Sequence, residues 1–153
     1  MQIKNSMIEA HLFRKIGNDV EFLLLKRNNN GSYPGLWQMV TGRINENETA
    51  VHAAKREIKE ETKLIPKKMW VVPNVNSFYS PQDDSIYNIP VFAALIDSKE
   101  NPIISDEHAE FMWVTFDNAI KLLAWTGQRK SVKLIRQYFL KEIGFLNFTE
   151  ISI

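Results

Sequence analysis

The chain contains no cysteine, which excludes a disulfide scaffold, a cysteine-ligated zinc site and thiol catalysis. It also lacks an excess of either charge, since 19 Lys and Arg stand against 18 Asp and Glu. Without surplus positive charge, neither a general nucleic-acid coat nor a polybasic membrane binder is expected. No stretch approaches the roughly 20 apolar residues that span a bilayer. Lys4 and Glu9 interrupt the N-terminal segment, so it does not resemble a signal peptide. These absences predict a soluble protein of the cytoplasm.

At 153 residues the chain is expected to form one domain, 1–153. Alternating and apolar runs predict strands, while helical periodicity and a stop at Pro66 predict helices. Strands are expected at 7–16, 20–26, 37–40, 69–79, 86–96 and 111–115, and helices at 49–64, 117–125 and 128–143. This order predicts an α+β protein in which helices pack on a mixed sheet.

The helix predicted at 49–64 carries an unusual set of acidic residues. At 100° per residue, an apolar stripe that includes Ile58 faces the core, while Glu57, Glu60 and Glu61 share a separate arc. Glu57 and Glu61 form a like-charge pair one turn apart, which costs a few tenths of a kcal/mol, roughly, unless a cation lies between them. A divalent ion such as Mg²⁺ would fit, although a solvated acidic face explains the helix equally well.

The spacing around this helix favours the cation. Gly42 is followed after five residues by Glu48, and after seven more by the run Arg56-Glu57-Ile58-Lys59-Glu60-Glu61-Thr62-Lys63-Leu64. This segment resembles the Nudix box, whose fixed glycine and polar positions it matches at six places. One position departs from the pattern, because the box usually has glycine where this chain has Lys63. Glycine at a helix end commonly adopts a left-handed conformation, so replacing it by lysine affects the path that the chain is expected to take as it leaves the helix.

The resemblance implies an α/β/α sandwich and hydrolysis of a nucleoside diphosphate linked to another group, with Mg²⁺ or Mn²⁺ as the cofactor. Glu57, Glu60 and Glu61 would then bind the metal together with the carbonyl group of Gly42. One glutamate, in the box or outside it, would deprotonate the attacking water. The resemblance also implies that Arg56 and Glu48 form an ion pair that positions the helix and the preceding loop.

Two further segments resemble the branch of this family that contains bacterial dATP and dihydroneopterin triphosphate pyrophosphohydrolases. They run from Tyr33 to Gly42 and from Glu107 to Val114. In that branch an acidic residue before the last strand reaches the metal, and Glu107 matches it. Glu110 is the competing choice by proximity, and both could instead belong to a solvated loop.

Residues that could contact substrate are less distinctive. Lys26 and Arg27 end a predicted strand and are suited to phosphate, although ordinary surface charge would also explain them. The aromatic candidates for stacking on a base are Trp37, Phe78, Tyr79 and Tyr87, which could equally be core residues.

The predicted reaction is cleavage of a nucleoside triphosphate, similar to dATP or a pterin triphosphate, to the monophosphate and pyrophosphate. A small-molecule nucleotide is therefore the expected partner, with no nucleic acid, no membrane and a possible homodimer. The alternatives are hydrolysis of dinucleoside polyphosphates, ADP-sugars or a related metabolite, and a non-catalytic domain that senses a ligand. A module that interacts through the basic last helix is a third reading. Retention of every box glutamate favours catalysis.

Overall fold

A computed structural model describes residues 1–153 and confirms the predicted α+β class, with a mixed sheet and four helices. The strands are β1 (Gln2–Lys4), β2 (Met7–Ile16), β3 (Asp19–Arg27), β4 (Trp37–Gln38), β5 (Val40–Arg43), β6 (Lys68–Ser80), β7 (Ser85–Leu95), β8 (His108–Thr115) and β9 (Glu150–Ile151). The helices are α1 (Ala50–Thr62), α2 (Phe116–Leu122), α3 (Thr126–Lys141) and α4 (Ile143–Leu146).

The structure differs from the sequence-based expectation in its shortest elements. Strands β1 and β9 and helix α4 were not predicted, because two to four residues are too short to show a period. The strand expected at 37–40 is divided at Met39 into β4 and β5, and β5 continues to Arg43, beyond the expected end of the strand. Strand β8 begins at His108, earlier than expected, so that His108 belongs to the sheet.

The sheet opens at its centre, and this opening positions the loop before α1. Strands β2 and β3 pair antiparallel from Phe13–Phe22 to Ile16–Asp19, near the turn between them. Further from that turn they pair with other strands instead: Leu25 of β3 lies opposite Gln38 of β4, and Ile8 of β2 lies opposite Gly42 of β5. Strands β4 and β5 thus carry the chain across the gap, and Gly42 lies at the end of the sheet beside α1.

Helices cover both faces of the sheet because β2 and β3 alternate their buried side chains between two apolar clusters. Ile8 and Leu12 pack with Ala54 and Ile58 of α1 on one face. On the opposite face, the side chains of the strands pack against α2 and α3, for example Val132 and Ile135. Packing on the first of these faces therefore holds α1 beside β2 and β5.

Candidate active site

Helix α1 is defined at both ends by local interactions. Thr49 caps its start, since the Thr49 hydroxyl accepts a hydrogen bond from the His52 backbone N–H at 3.1 Å. At the other end Lys63 adopts the left-handed conformation, with φ 60° and ψ 7°, and its N–H bonds to the carbonyl group of Lys59. The chain therefore leaves the helix as it would with glycine, and the substitution at this position adds strain without changing the path.

Arg56 and Glu48 form the ion pair that the resemblance implied. The guanidinium binds the carboxylate with two hydrogen bonds, Nε to Oε2 at 2.8 Å and Nη2 to Oε1 at 2.9 Å. Nη2 also donates to the carbonyl group of Arg43 at 2.7 Å. The Arg56 guanidinium and the Asn45 backbone N–H lower the pKa of the Glu48 carboxyl to about 2. This pair joins α1 to the loop that leads from Gly42.

The three box glutamates lie in different environments, which the helical arc did not predict. Glu61 is only 2% exposed, whereas the Glu60 side chain is 58% exposed. The Glu57 side chain is 12% exposed, and its Oε1 accepts a hydrogen bond from Arg56 Nη1 at 2.8 Å. The same Arg56 nitrogen lies 3.3 Å from Glu60 Oε2. Tertiary packing therefore turns one arc into a buried, a half-buried and an exposed carboxylate.

Gly42 is required at its position by its contact with Glu57. A Cβ atom at residue 42 would overlap the Glu57 carboxyl group. Because Gly42 has no side chain, the Glu57 carboxylate lies directly against the backbone of β5. The arrangement brings together the Gly42 backbone and the Glu57 carboxylate, two groups for which the resemblance implied metal binding, and that role stays a prediction.

Glu107 meets Glu61 through the loop that precedes β8. The backbone N–H of Ser105 bonds to the carbonyl group of Glu61 at 3.3 Å, and the Asn28 N–H bonds to that of Glu107 at 3.2 Å. One carboxylate oxygen of Glu61 and one of Glu107 lie within 4.8 Å of each other. Glu110, the competing choice, lies instead 3.8 Å from Lys26, with 58% of its side chain exposed. The structure thus brings Glu107, and not Glu110, to the end of α1.

The environment of Glu61 is that of a cation site. Burial, together with the neighbouring Glu107 and Glu57 carboxyls, raises the pKa of Glu61 to about 10, although the Thr41 backbone N–H acts in the opposite direction. Burial also raises the pKa of Glu57. Glu61 Oε2 is buried without a hydrogen-bond partner. A hard divalent cation would supply the missing partner, so these residues fit the metal that the resemblance implies.

His108 is a third member of this cluster, and the sequence pattern does not reveal it. One ring nitrogen and one carboxylate oxygen from each of Glu61 and Glu107 all lie within 4.8 Å of one another. The sequence shows no zinc-binding spacing around His108, and only the fold brings this residue to the end of α1. Its position directly after Glu107 is the one signal that could have identified it.

The family is decided by comparison with known proteins. The model of the NUDIX domain matches residues 10–137. The chain belongs to the NUDIX family. Over 127 residues it is 29% identical to the nucleoside triphosphatase NudI of Escherichia fergusonii, a match that covers 78% of this chain and 90% of that protein. Over 114 residues it is 26% identical to the asymmetrical bis(5'-nucleosyl)-tetraphosphatase of Caenorhabditis elegans, covering 72% and 79% of the two chains.

A third relative of this Nudix chain is much longer. The octanoyltransferase of Myxococcus xanthus is 28% identical over 118 residues, and the match covers 76% of this chain. The chain spans about a third of that protein, with 32% of its length matched. Together, the domain match and the hydrolase relatives indicate a pyrophosphohydrolase.

Solved structures show the same fold. A NUDIX hydrolase from Listeria monocytogenes superposes with a TM-score of 0.76 at 22% identity, and the match covers 98% of this chain and 100% of that protein. The dihydroneopterin triphosphate pyrophosphohydrolase of Escherichia coli has a TM-score of 0.70 at 21% identity, covering 85% and 93%. Within this Nudix fold, none of the helices combines the length and apolar character that a membrane crossing requires.

The structure places the predicted substrate residues at two separate locations. Lys26 lies 5.9 Å from the centre of the Trp37 ring, and Arg27 pairs with His108 across β3 and β8. The Arg27 side chain also donates to the carbonyl group of Ser32 at 2.6 Å. Tyr79, by contrast, lies near the tip of the β6–β7 hairpin, where its hydroxyl group bonds to Asp84 at 3.1 Å. Contact between substrate and any of these residues stays a prediction.

An exposed aromatic pair, which was not predicted, joins the loop between β3 and β4 to the residue that precedes α3. The rings of Tyr33 and Trp125 meet edge to face, with centroids 5.8 Å apart. Tyr33 has φ 52°, a left-handed conformation that a bulky residue rarely adopts. The loop that carries Tyr33 begins beside the metal cluster, because Asn28 at its start bonds to the backbone of Glu107. This loop therefore links the carboxylates to an exposed aromatic surface.

Proposed function

We propose that this protein hydrolyses a nucleoside triphosphate, similar to dATP or a pterin triphosphate, to the monophosphate and pyrophosphate. The single observation that carries the proposal is the buried carboxyl group of Glu61, which lies beside Glu107 and Glu57 in a domain of the Nudix family. Clustered carboxylates of this kind are costly to bury and are suited to a cation that binds phosphate. The triphosphatase NudI of Escherichia fergusonii, which matches 78% of the chain, favours this substrate class.

Mg²⁺ is the proposed cofactor, with Mn²⁺ as a substitute. Glu57, Glu61 and Glu107 would hold it, with Glu60 and the Gly42 carbonyl group as further ligands. The bound cation would neutralise charge on the phosphate oxygens and lower the pKa of coordinated water. The donor set of carboxylate and carbonyl oxygens is the one that this hard ion prefers.

The protein's own groups would orient the reaction and accept a proton. Attack of water on phosphorus breaks one P–O bond of the anhydride and releases a proton, which a cluster carboxylate accepts. Arg56 holds Glu48 and Glu57 at once, so its proposed role is to position α1 and the carboxylate, without direct chemistry. The buried surroundings of Glu61 exclude bulk water from one side of the cluster.

Substrate binding is assigned to groups on the surface around this cluster. Lys26 and Arg27 would contact phosphate oxygens, since their strand ends beside His108. Trp37 and the exposed pair of Tyr33 and Trp125 would offer rings for stacking on a base, an interaction worth about 1–3 kcal/mol. Tyr79 lies on the hairpin between β6 and β7 and would suit a second base if the substrate has one.

A nucleotide screen with Mg²⁺ tests the proposal, scoring pyrophosphate against phosphate release. We expect pyrophosphate from at least one triphosphate, and loss of turnover in Glu61→Gln. Glu110→Gln is the matched control, because that exposed carboxylate pairs with Lys26 and is not a member of the cluster of Glu61, Glu107 and His108. Hydrolysis in ¹⁸O-labelled water would place the label on the monophosphate or on pyrophosphate and so identify the phosphorus attacked. Absence of turnover with every diphosphate-containing compound would refute catalysis and favour a ligand-sensing domain.

The second candidate is cleavage of a dinucleoside polyphosphate. It is favoured by the likeness to the Caenorhabditis elegans tetraphosphatase, which matches 72% of the chain. In the same screen, this activity would release a nucleotide from each end of the substrate and no pyrophosphate from simple triphosphates. An ADP-sugar hydrolase would release AMP and a sugar phosphate. Gel filtration would test the predicted homodimer.

A further inference from the structure

The imidazole of His108 is buried beside the acidic cluster with one of its two nitrogens unpartnered. The residue is only 5% exposed, and Nδ1 has no hydrogen-bond partner. A buried polar atom without a partner costs about 1–3 kcal/mol, so it requires an explanation, of which a bound ion is one. One nitrogen of this ring lies within 4.8 Å of a carboxylate oxygen from both Glu61 and Glu107.

Gln38 controls which ring nitrogen is free to bind a cation. The side-chain nitrogen of Gln38 lies 3.1 Å from His108 Nε2, and Gln38 is itself only 6% exposed. A half turn of the amide would present its carbonyl oxygen to Nε2. In neutral imidazole, a proton on Nε2 leaves the lone pair of Nδ1 free to bind a metal. A histidine that binds a metal through one nitrogen usually donates a hydrogen bond from its other nitrogen to an acceptor, which fixes the orientation of the ring.

We propose that His108 supplies a nitrogen ligand, through Nδ1, to a cation held by Glu61 and Glu107, and that Gln38 orients the ring. This inference rests on the proposed function only in so far as a cation binds at Glu61. Imidazole binds transition metals in preference to Mg²⁺, whereas carboxylates accept Mg²⁺ and Mn²⁺ alike. The nitrogen ligand therefore raises the affinity for Mn²⁺ relative to Mg²⁺, while the carboxylates still bind Mg²⁺.

The decisive measurement is electron paramagnetic resonance of Mn²⁺ added to the metal-free protein. Pulsed spectra of the wild type should show ¹⁴N coupling from a directly coordinated imidazole. His108→Gln, which replaces the nitrogen by an amide of similar reach, should abolish that coupling. It should also weaken Mn²⁺ binding about 10-fold or more while changing Mg²⁺ binding much less. Calorimetric titration with each ion alone gives the ratio of the two affinities.

Control variants separate this inference from the proposed metal site. His52→Gln changes an exposed histidine on α1 and should leave both the coupling and the affinities unchanged. Gln38→Ala should weaken Mn²⁺ binding about 10-fold while retaining ¹⁴N coupling, because the amide orients the ring without binding the ion. Loss of Mn²⁺ binding in Glu61→Gln, combined with an absence of ¹⁴N coupling in the wild type, would overturn the role of His108 and leave the carboxylate site intact.

Two other results would also decide the matter. Unchanged Mn²⁺ affinity in Glu61→Gln would refute the metal site of the proposed function itself. Equal losses of Mn²⁺ and Mg²⁺ affinity in His108→Gln would overturn the proposed selectivity, because a nitrogen ligand must affect the softer ion more. The wild-type spectrum alone answers the question of coordination if the variant does not fold.

Discussion

Replacement of Glu61 by glutamine should stabilise the metal-free protein while it abolishes catalysis. Glu61 is 2% exposed, and burial beside Glu107 raises its pKa from 4.5 to about 10. The folded, metal-free protein therefore keeps this carboxyl protonated at pH 7, whereas the unfolded chain releases the proton. Glutamine has nearly the same shape and carries no charge, so the variant avoids this cost.

The magnitude follows from the distance between the ordinary pKa and the working pH. A carboxyl that ionises at 4.5 when unfolded and stays protonated when folded lowers the stability at pH 7 by about 3 kcal/mol, at roughly 1.4 kcal/mol per pH unit. A raised carboxyl pKa gives stability that is complete below pH 4.5 and is lost as the pH rises towards 10. We therefore expect Glu61→Gln to exceed the wild type in stability by an amount that grows with pH in this window.

The assay is urea unfolding in EDTA at several pH values between 5 and 8, followed by the same series with Mg²⁺. In EDTA the variant should be more stable than the wild type at pH 7 and nearly equal to it at the acidic end. Excess Mg²⁺ should stabilise only the wild type, by about 2.7 kcal/mol at 100 times the dissociation constant. Turnover of the substrate found in the screen should be lost in the variant.

Glu60→Gln is the matched control, because its carboxylate lies on the same helix with 58% of the side chain exposed. Its stability in EDTA should stay within about 0.5 kcal/mol of the wild type. A Glu61→Gln variant that is no more stable than the wild type in EDTA, or that shows the same dependence on pH, would refute the reasoning from burial.

Three further perturbations test the surroundings of the cluster. Gly42→Ala should displace the Glu57 carboxylate and weaken Mg²⁺ binding, measured by calorimetry, about 10–100-fold. Gly144→Ala is the control, because open space surrounds Gly144, and it should bind Mg²⁺ as the wild type does. Equal Mg²⁺ affinities of the two variants would contradict the contact between Gly42 and Glu57. Lys63→Gly should raise the free energy of unfolding, measured in urea, by about 0.5–1 kcal/mol, because the left-handed strain that glycine removes exceeds the backbone entropy that glycine loses on folding. A variant less stable than the wild type would contradict this prediction. Glu48→Gln should be less stable than the wild type above pH 4.5, because the wild type gains stability there from the ionised Glu48 carboxyl and loses it as that carboxyl protonates towards pH 2. The difference in stability, measured by acid unfolding, should therefore shrink between pH 4.5 and pH 2. A difference that stays constant over this range would contradict the prediction.

The elements that could be predicted from the sequence are those whose signal is local and long. Helix α1 begins after the Thr49 cap and ends one residue before Lys63, close to the expected bounds. The longest strands also lie within a few residues of their predicted positions. Strands β1 and β9 could not be predicted, because they are stabilised by pairing with β7 and β6 and have too few residues to show a period.

The features of the candidate site that could be predicted from the sequence are likewise those that depend on residues close together in the chain. The spacing from Gly42 to Leu64 by itself determined the family resemblance, the carboxylates on one helix and the expectation of a hard cation. The Arg56–Glu48 pair was also implied by that resemblance and is present with two hydrogen bonds. These features depend on separations of a few residues, which a helix and its preceding loop convert directly into distances in space.

Only the tertiary structure decided which carboxylates are buried and what they meet. Glu107 and His108 lie far along the chain from Glu61, and the loop before β8 brings them together through hydrogen bonds with Glu61 and Asn28. The sequence balances 19 basic residues against 18 acidic ones, which says nothing about their placement. Burial then distinguishes chemically identical glutamates, because desolvation depends on the packing of the whole fold and not on the residue type.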